Sequence, residues 1–249
     1  MHWRPLGFAE IDSTNEEIRR QAESGAAEGL VVTARRQTAG RGRRGRAWDS
    51  PEGNLFVSVL LKPRRPAHEA ATLSFLVSLC VAEAVLEAAP ALQGRISCKW
   101  PNDVLIDGAK LSGILLESRT AQGAGQGGGL LDHLIVGIGV NLVWNPADTP
   151  YPATNLAMLG VVETPESFLP RLLGRLGFWY DRWQDEGFAL VRQAWLGLAQ
   201  GVGKPAVARL GTEEVRGRFI ALDEGGGLIL ELADGSRRTI TAGDVFPAA

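Results

Sequence analysis

Gly40-Arg41-Gly42-Arg43-Arg44-Gly45-Arg46-Ala47-Trp48 lies between two apolar runs, Leu30 to Arg35 and Leu55 to Leu61. Both runs are rich in Val and Leu and read as strands. The segment is therefore a loop hung on a sheet, and its side chains decide what the sheet is for. Four guanidinium groups fall within six residues, with glycines between them. Like charges this close repel, so the free loop is expected to be extended and mobile. Glycine lets the backbone bend closely around a guest. Arginine offers a planar fork of donors to phosphate or carboxylate. Gln37-Thr38-Ala39 precedes the loop, and Trp48 closes it with an aromatic wall or stacking face. A solvated surface loop or a nucleic-acid tether is the competing reading.

Bulk composition favours a local pocket. The chain has 249 residues, 45% hydrophobic and 22% charged, with a net charge of −2. Such a composition is globular, and a nucleic-acid-binding domain usually carries a basic excess. Cys80 and Cys98 lack metal-ligand spacing, which points to a reducing cytoplasm. Met1 to Pro5 lacks the apolar core of a signal peptide. Leu73 to Leu86 is interrupted by Ser74, Ser78 and Glu83, so no membrane span is expected.

Outward from the loop, Ser13 followed by Glu16 reads as a capping box, with Gly25 as the stop of that helix. Ala67 to Ala89 reads as one helix ended by Pro90. Ile96 to Lys99, Val104 to Ile106, Lys110 to Glu117 and Leu131 to Val143 read as strands, with Asp107-Gly108 as a hairpin turn. Gln122 to Gly129 reads as a flexible hairpin tip. Glu166 to Glu186 and Gly187 to Leu198 read as helices, with Trp179, Trp183 and Trp195 in the core. Beyond Gly201 come short runs at Ala206–Leu210, Glu214–Leu222, Leu228–Leu232 and Arg237–Thr241, the pattern of a small β barrel. The expectation is an α+β fold. Residues 1–200 form a mixed β-sheet with helices packed on it, and residues 201–249 a small β domain.

Three further motifs carry chemistry. Lys99-Trp100-Pro101-Asn102-Asp103 is a turn that presents a lysine for phosphate and a carboxylate for magnesium. It also fits a charged turn with a structural Trp-Pro. In Lys110-Leu111-Ser112-Gly113-Ile114-Leu115-Leu116-Glu117, alternation puts Lys110 and Ser112 on one face and Gly113, Leu115 and Glu117 on the other. Gly113 marks a close approach by a ligand or another backbone. In Gly137-Ile138-Gly139-Val140-Asn141, two alternate glycines open one strand face for a flat ligand. No third glycine follows, so a dinucleotide fingerprint is excluded. His2, His68 and His133 are scattered and receive no role.

Together with Asp12-Ser13-Thr14-Asn15, these motifs in this order resemble the biotin protein ligase family, and the likeness spans Asp12 to Asn141. The resemblance implies a class II biotin/lipoyl ligase-like catalytic domain and a small Src-homology-3-like barrel. It implies that ATP and biotin give biotinyl-AMP, with Mg2+, and that biotin then passes to a lysine of a biotin carboxyl carrier protein. Carried over by position, Ser13, Thr14, Asn15, Gln37, Gly40, Arg41, Gly42, Arg43, Lys110, Gly113, Leu115, Gly137 and Gly139 bind biotin. Arg43, Arg46, Trp48, Lys99, Asn102 and Asn141 serve the nucleotide. Lys110, Arg43 and Asp103 are the catalytic set, with Asp103 also holding the metal. Asp12 so near Met1 points to a form without the DNA-binding repressor arm. No DNA and no membrane are expected as partners, and a homodimer is possible. A lipoate or octanoate ligase and a nucleic-acid-binding module are the alternatives.

Overall fold

The computed structural model describes residues 1–120, 130–147, 149, 151–211 and 213–248; the Gln122 to Gly129 tract lies outside them. The central sheet is built on β3 (Leu55–Leu61), all seven residues of which are buried. β2 (Leu30–Gln37) and β7 (Leu131–Val140) flank it, both antiparallel. Beyond β7 come β6 (Ala109–Thr120), β5 (Asp103–Ile106) and β4 (Ile96–Lys99). The seven-stranded order is β1-β2-β3-β7-β6-β5-β4. Asp107 and Gly108 both take positive φ, as a tight hairpin turn requires.

One edge strand escapes sequence reading. β1 (Arg4–Ile11) pairs parallel with β2, and α1 (Thr14–Glu23) crosses over between them. Most of β1 is exposed and it contains Pro5 and Gly7, so it shows no apolar alternation. Ser13 is the N-cap of α1, but its side chain makes no capping bond, contrary to the capping box expected.

The two faces of the sheet do different work. Val31, Val57, Val59 and Val136 face the main core, under α3 (Leu73–Ala88), α4 (Pro165–Glu186) and α5 (Phe188–Leu198). A short α2 (Ala67–Ala70) precedes α3, so the single helix expected there is two. Taken together, residues Ala67–Ala88 are long and apolar enough to cross a bilayer, yet 72% of that window is buried inside the protein. Trp179, Trp183 and Trp195 are buried against α3. Their indole N–H groups donate to Glu83, Thr72 and Ser78, each at 3.0 Å, so none of these three buried donors is orphaned. On the opposite face, Val32, Leu60 and Ile135 form a small cluster with Ile18 of α1, edged by Phe8, Ala22, Ala26 and Leu30. The rest of that face is left for the site.

The C-terminal strands are β8 (Pro205–Leu210), β9 (Glu213–Leu222), β10 (Leu228–Glu231), β11 (Arg237–Ile240) and β12 (Asp244–Pro247). They form an antiparallel sheet of order β11-β10-β9-β8-β12. β12 was not legible in the sequence. This sheet docks on the larger one where the Trp100 indole N–H donates to Gly226 O at 2.9 Å.

Candidate active site

A cavity of about 300 Å³ opens on the α1 face of the central sheet. Ser13, Thr14, Asn15, Gln37, Arg41, Gly42, Arg43, Arg46, Trp48, Asn102, Asp103, Lys110, Gly113, Leu115, Gly137, Gly139 and Asn141 all line it. Two expected residues do not. Gly40 is packed into the base of the loop, where a Cβ would lie 2.4 Å from Trp48 O and 2.6 Å from Ser50 Oγ. Lys99 lies against the stacked pair of Tyr151 and Phe246, with Nζ 5.0 Å and 4.4 Å from the ring centroids. Burial there pushes its pKa down.

The arginine loop is compact, against the extended form expected. Trp48 N–H donates to Gly40 O at 3.0 Å and Gly42 N–H to Arg46 O at 2.7 Å, which closes a small hairpin. Arg44 takes φ 57 at its tip. Every guanidinium has a partner outside the loop, and that offsets the repulsion. Arg41 pairs with Glu16. Arg43 donates to Asn102 Oδ1 at 3.0 Å. Arg44 and Arg46 share Asp244 of β12, at 3.3 and 3.1 Å. Arg43 is the most enclosed of them, and loss of hydration pulls its pKa down.

Glycines 113 and 139 are direct cross-strand partners. A Cβ on Gly139 would sit 2.6 Å from Trp48 Cε2, and one on Gly113 3.0 Å from Trp48 Cζ3. The glycine-opened slot therefore takes the indole of Trp48. Gly137 plays the same part for another side chain, since its Cβ would fall 2.4 Å from Asn15 Oδ1. Both glycines of β7 thus accommodate protein side chains, which then face the cavity.

Lys110 reaches this face through an irregularity. Simple alternation puts it opposite Gly113. The β5–β6 register, however, slips between Val104↔Ser112 and Leu105↔Lys110, leaving Leu111 as an extra residue. The bulge resets the side-chain parity. Lys110 Nζ then lies 5.4 Å from the centroid of the Trp48 ring, 3.3 Å from where a Gly113 Cβ would stand, and 2.7 Å from Asp103 Oδ1. The last is an ion contact whose angles do not make a hydrogen bond, so this buried carboxylate oxygen keeps acceptor capacity. The Lys110 backbone is held by bonds to Pro152 O at 2.7 Å and from Thr154 N at 2.9 Å. Asn141 supports the same loop, donating to Thr154 O at 3.1 Å.

At the other end, Thr14 N–H donates to Gln37 Oε1 at 2.8 Å, and Gln37 Nε2 donates to Ser50 Oγ at 2.9 Å. Ser58, Tyr151 and Asp244 also belong to the site or its support, and none was singled out beforehand; Glu117 reads in the sequence only as the end of the Lys110 motif and has no role there. Ser58 had a visible signal, as the one polar residue in an otherwise apolar strand.

A mixed sheet with a cation-lined, glycine-opened cavity beside a parallel edge unit defines a ligand-activating α+β domain. The chain belongs to the biotin/lipoate A/B protein ligase family, whose model matches residues 7–141. Residues 202–246 match the biotin protein ligase C-terminal domain. A biotin–[acetyl-CoA-carboxylase] ligase of Paracoccus denitrificans is 42% identical over 247 residues, covering 96% of this chain and 98% of that one. The bifunctional ligase/repressor BirA of Bacillus subtilis is 32% identical, covering 93% of this chain and 70% of that one. Among solved structures, a biotin protein ligase from Aquifex aeolicus in complex with biotin and ATP superposes with a TM-score of 0.81 at 29% identity, over 98% and 99% of the two chains.

Proposed function

We propose that this chain is an ATP-dependent biotin protein ligase that modifies a lysine of a biotin carboxyl carrier protein. The convergence of Arg43 and Lys110 on one cavity carries the reading. In the first step a biotin carboxylate oxygen attacks the α-phosphorus of ATP. A phosphorus–oxygen bond forms and the bond to pyrophosphate breaks. Bringing two anions together in a poorly hydrated pocket is strongly unfavourable unless fixed cations flank them. Lys110 lies on the sheet side and Arg43 on the loop side, where they can hold both anions in line. In the second step the neutral amine of the carrier lysine attacks the acyl carbon. AMP leaves with the bonding pair, and the amide nitrogen gives up a proton to solvent.

The remaining assignments follow the cavity. Ser13, Thr14 and Gln37 offer polar partners to the ureido ring, and Leu115 gives an apolar wall. Asn15 and Gly137 form the floor. Gly40, Arg41 and Gly42 shape the loop, and Trp48, Arg46, Asn102 and Asn141 serve the nucleotide. Lys99 acts from outside the cavity wall, next to Tyr151. Among the described residues no three acidic, His or Cys side chains gather as a metal cage. Asp103, whose Oδ1 has no contact donor besides Lys110 among the described residues, could lend its carboxylate to a magnesium ion held mainly by nucleotide phosphates. That ion would neutralise phosphate charge. Two free buried thiols suit a reducing cytoplasm. The exposed edge strand β1 suits a homodimer. Purified protein given biotin, MgATP and a carrier domain should attach biotin to the carrier lysine. Absence of transfer to any biotin carrier domain would reject the reading.

A further inference from the structure

A hydrogen-bond chain behind the cavity has a fixed direction, and the fixed end is a carboxylate. Glu117 Oε2 accepts from Asn15 Nδ2 at 2.6 Å. Arg19 holds the other oxygen at 3.0 Å. A carboxylate facing two donors accepts only, so the Asn15 amide has one allowed orientation. Its oxygen must face Ser58, whose Oγ lies 2.5 Å away, and the Ser58 proton is committed to it. With that proton spent, the 2.7 Å contact between Ser58 Oγ and Thr14 Oγ1 is a hydrogen bond only if the Thr14 hydroxyl donates. The competing acceptor, Gln37 Oε1, is more distant at 3.1 Å and is already served by Thr14 N–H. Ser58 is 0% exposed, and Thr14 and Asn15 are 4% exposed, so no bulk water relaxes these directions.

Each proton in the chain therefore points away from the cavity. Thr14 Oγ1 is left with lone pairs and no protein donor, on a residue that lines the cavity. We propose that Ser58 is a positioning residue, which holds the Thr14 hydroxyl as an obligatory acceptor and so selects a ligand bearing a ring N–H at that point. Glu117 sets the direction through Asn15. The inference rests on the biotin reading, because the ureido ring supplies such an N–H. A pocket whose polar group is locked as an acceptor rejects an isostere that offers only an oxygen there.

The test is calorimetry on the full chain, titrated with biotin and with the two cyclic carbamates in which one or the other ureido N–H is replaced by oxygen. The wild-type protein should bind biotin more tightly than one of the carbamates. In Ser58→Ala the Thr14 hydroxyl can turn and donate to that oxygen. Biotin binding should weaken and the biotin-to-carbamate ratio should fall about ten-fold. ATP affinity should stay at its wild-type value. A Ser58→Ala protein that keeps the wild-type ratio overturns the proposal, as does a wild-type protein that binds biotin and both carbamates equally. Wild-type protein that binds no biotin rejects the parent reading instead. Should Ser58→Ala fail to fold, the half-exposed Glu117→Gln gives the same readout. Its new amide lets Asn15 turn over, and the ratio should again fall; an unchanged ratio overturns the proposal there too.

Discussion

Gly113 and Gly139 face each other across the β6–β7 ladder, and the Trp48 indole lies in the space their missing side chains leave. The arginine loop is thereby anchored on the sheet by its own last residue, and Lys110 sits over the same ring.

Substituting Gly139→Ala should disturb this arrangement more than any surface change. The added methyl would stand 2.6 Å from Trp48 Cε2 and Nε1, so the indole must leave. Overpacking of this kind costs about 1–3 kcal/mol. Adenylate formation should fall about ten-fold or more, with loss of the Trp48 contribution to nucleotide binding. Steady-state kinetics at varied ATP would check it, and wild-type values would contradict the packing described.

Asp244 ties the C-terminal sheet to Arg44 and Arg46. Such partly exposed pairs are each worth about 0–1 kcal/mol, so Asp244→Ala should leave the thermal midpoint nearly unchanged. The loop should nonetheless open more often. Trypsin should cut within residues 41–46 several-fold faster in the variant, in line with the weak local stability of such loops. Equal cleavage rates would show that the loop is held by its own hairpin bonds alone.

Asp12 links the start of α1 to the loop and is hydrogen-bonded by Arg20, at 2.9 Å to each oxygen. That donor pair holds its pKa at about 2, below the ordinary 3.8. A depressed carboxyl pKa adds stability above the unfolded value and loses it as pH falls through the folded one. Stability from this contact is therefore complete above pH 3.8 and disappears as pH falls to about 2. Denaturant melts of wild type and Asp12→Asn should converge across that window and differ above it. A constant difference would contradict the linkage.

Most strands and the long helices were legible because their apolar periods match their burial. The Leu55 to Leu61 run and the three helical tryptophans are examples. What stayed hidden had a physical cause in each case. β1 is exposed on both sides, so burial leaves no pattern in it. The bulge at Leu111 reverses the facing of Lys110, and no local composition announces one extra residue. Gly40 and Lys99 belong to the family-like motifs, yet they pack against Trp48 O and against the stacked Tyr151 and Phe246 rings. Motif membership gave their neighbourhood and not their contacts. Nor does the sequence reveal that a serine in β3 meets an asparagine in α1 43 residues away in the chain.

The central claim is that Lys110 and Arg43 let a carboxylate meet the α-phosphate in this cavity. Biotin-dependent exchange of labelled pyrophosphate into ATP measures that step alone, without a carrier. Wild-type protein should catalyse the exchange, and Lys110→Ala, still folded, should lose about a hundred-fold or more of it. Exchange at the wild-type rate in Lys110→Ala, or none with biotin in the wild type, would contradict the account.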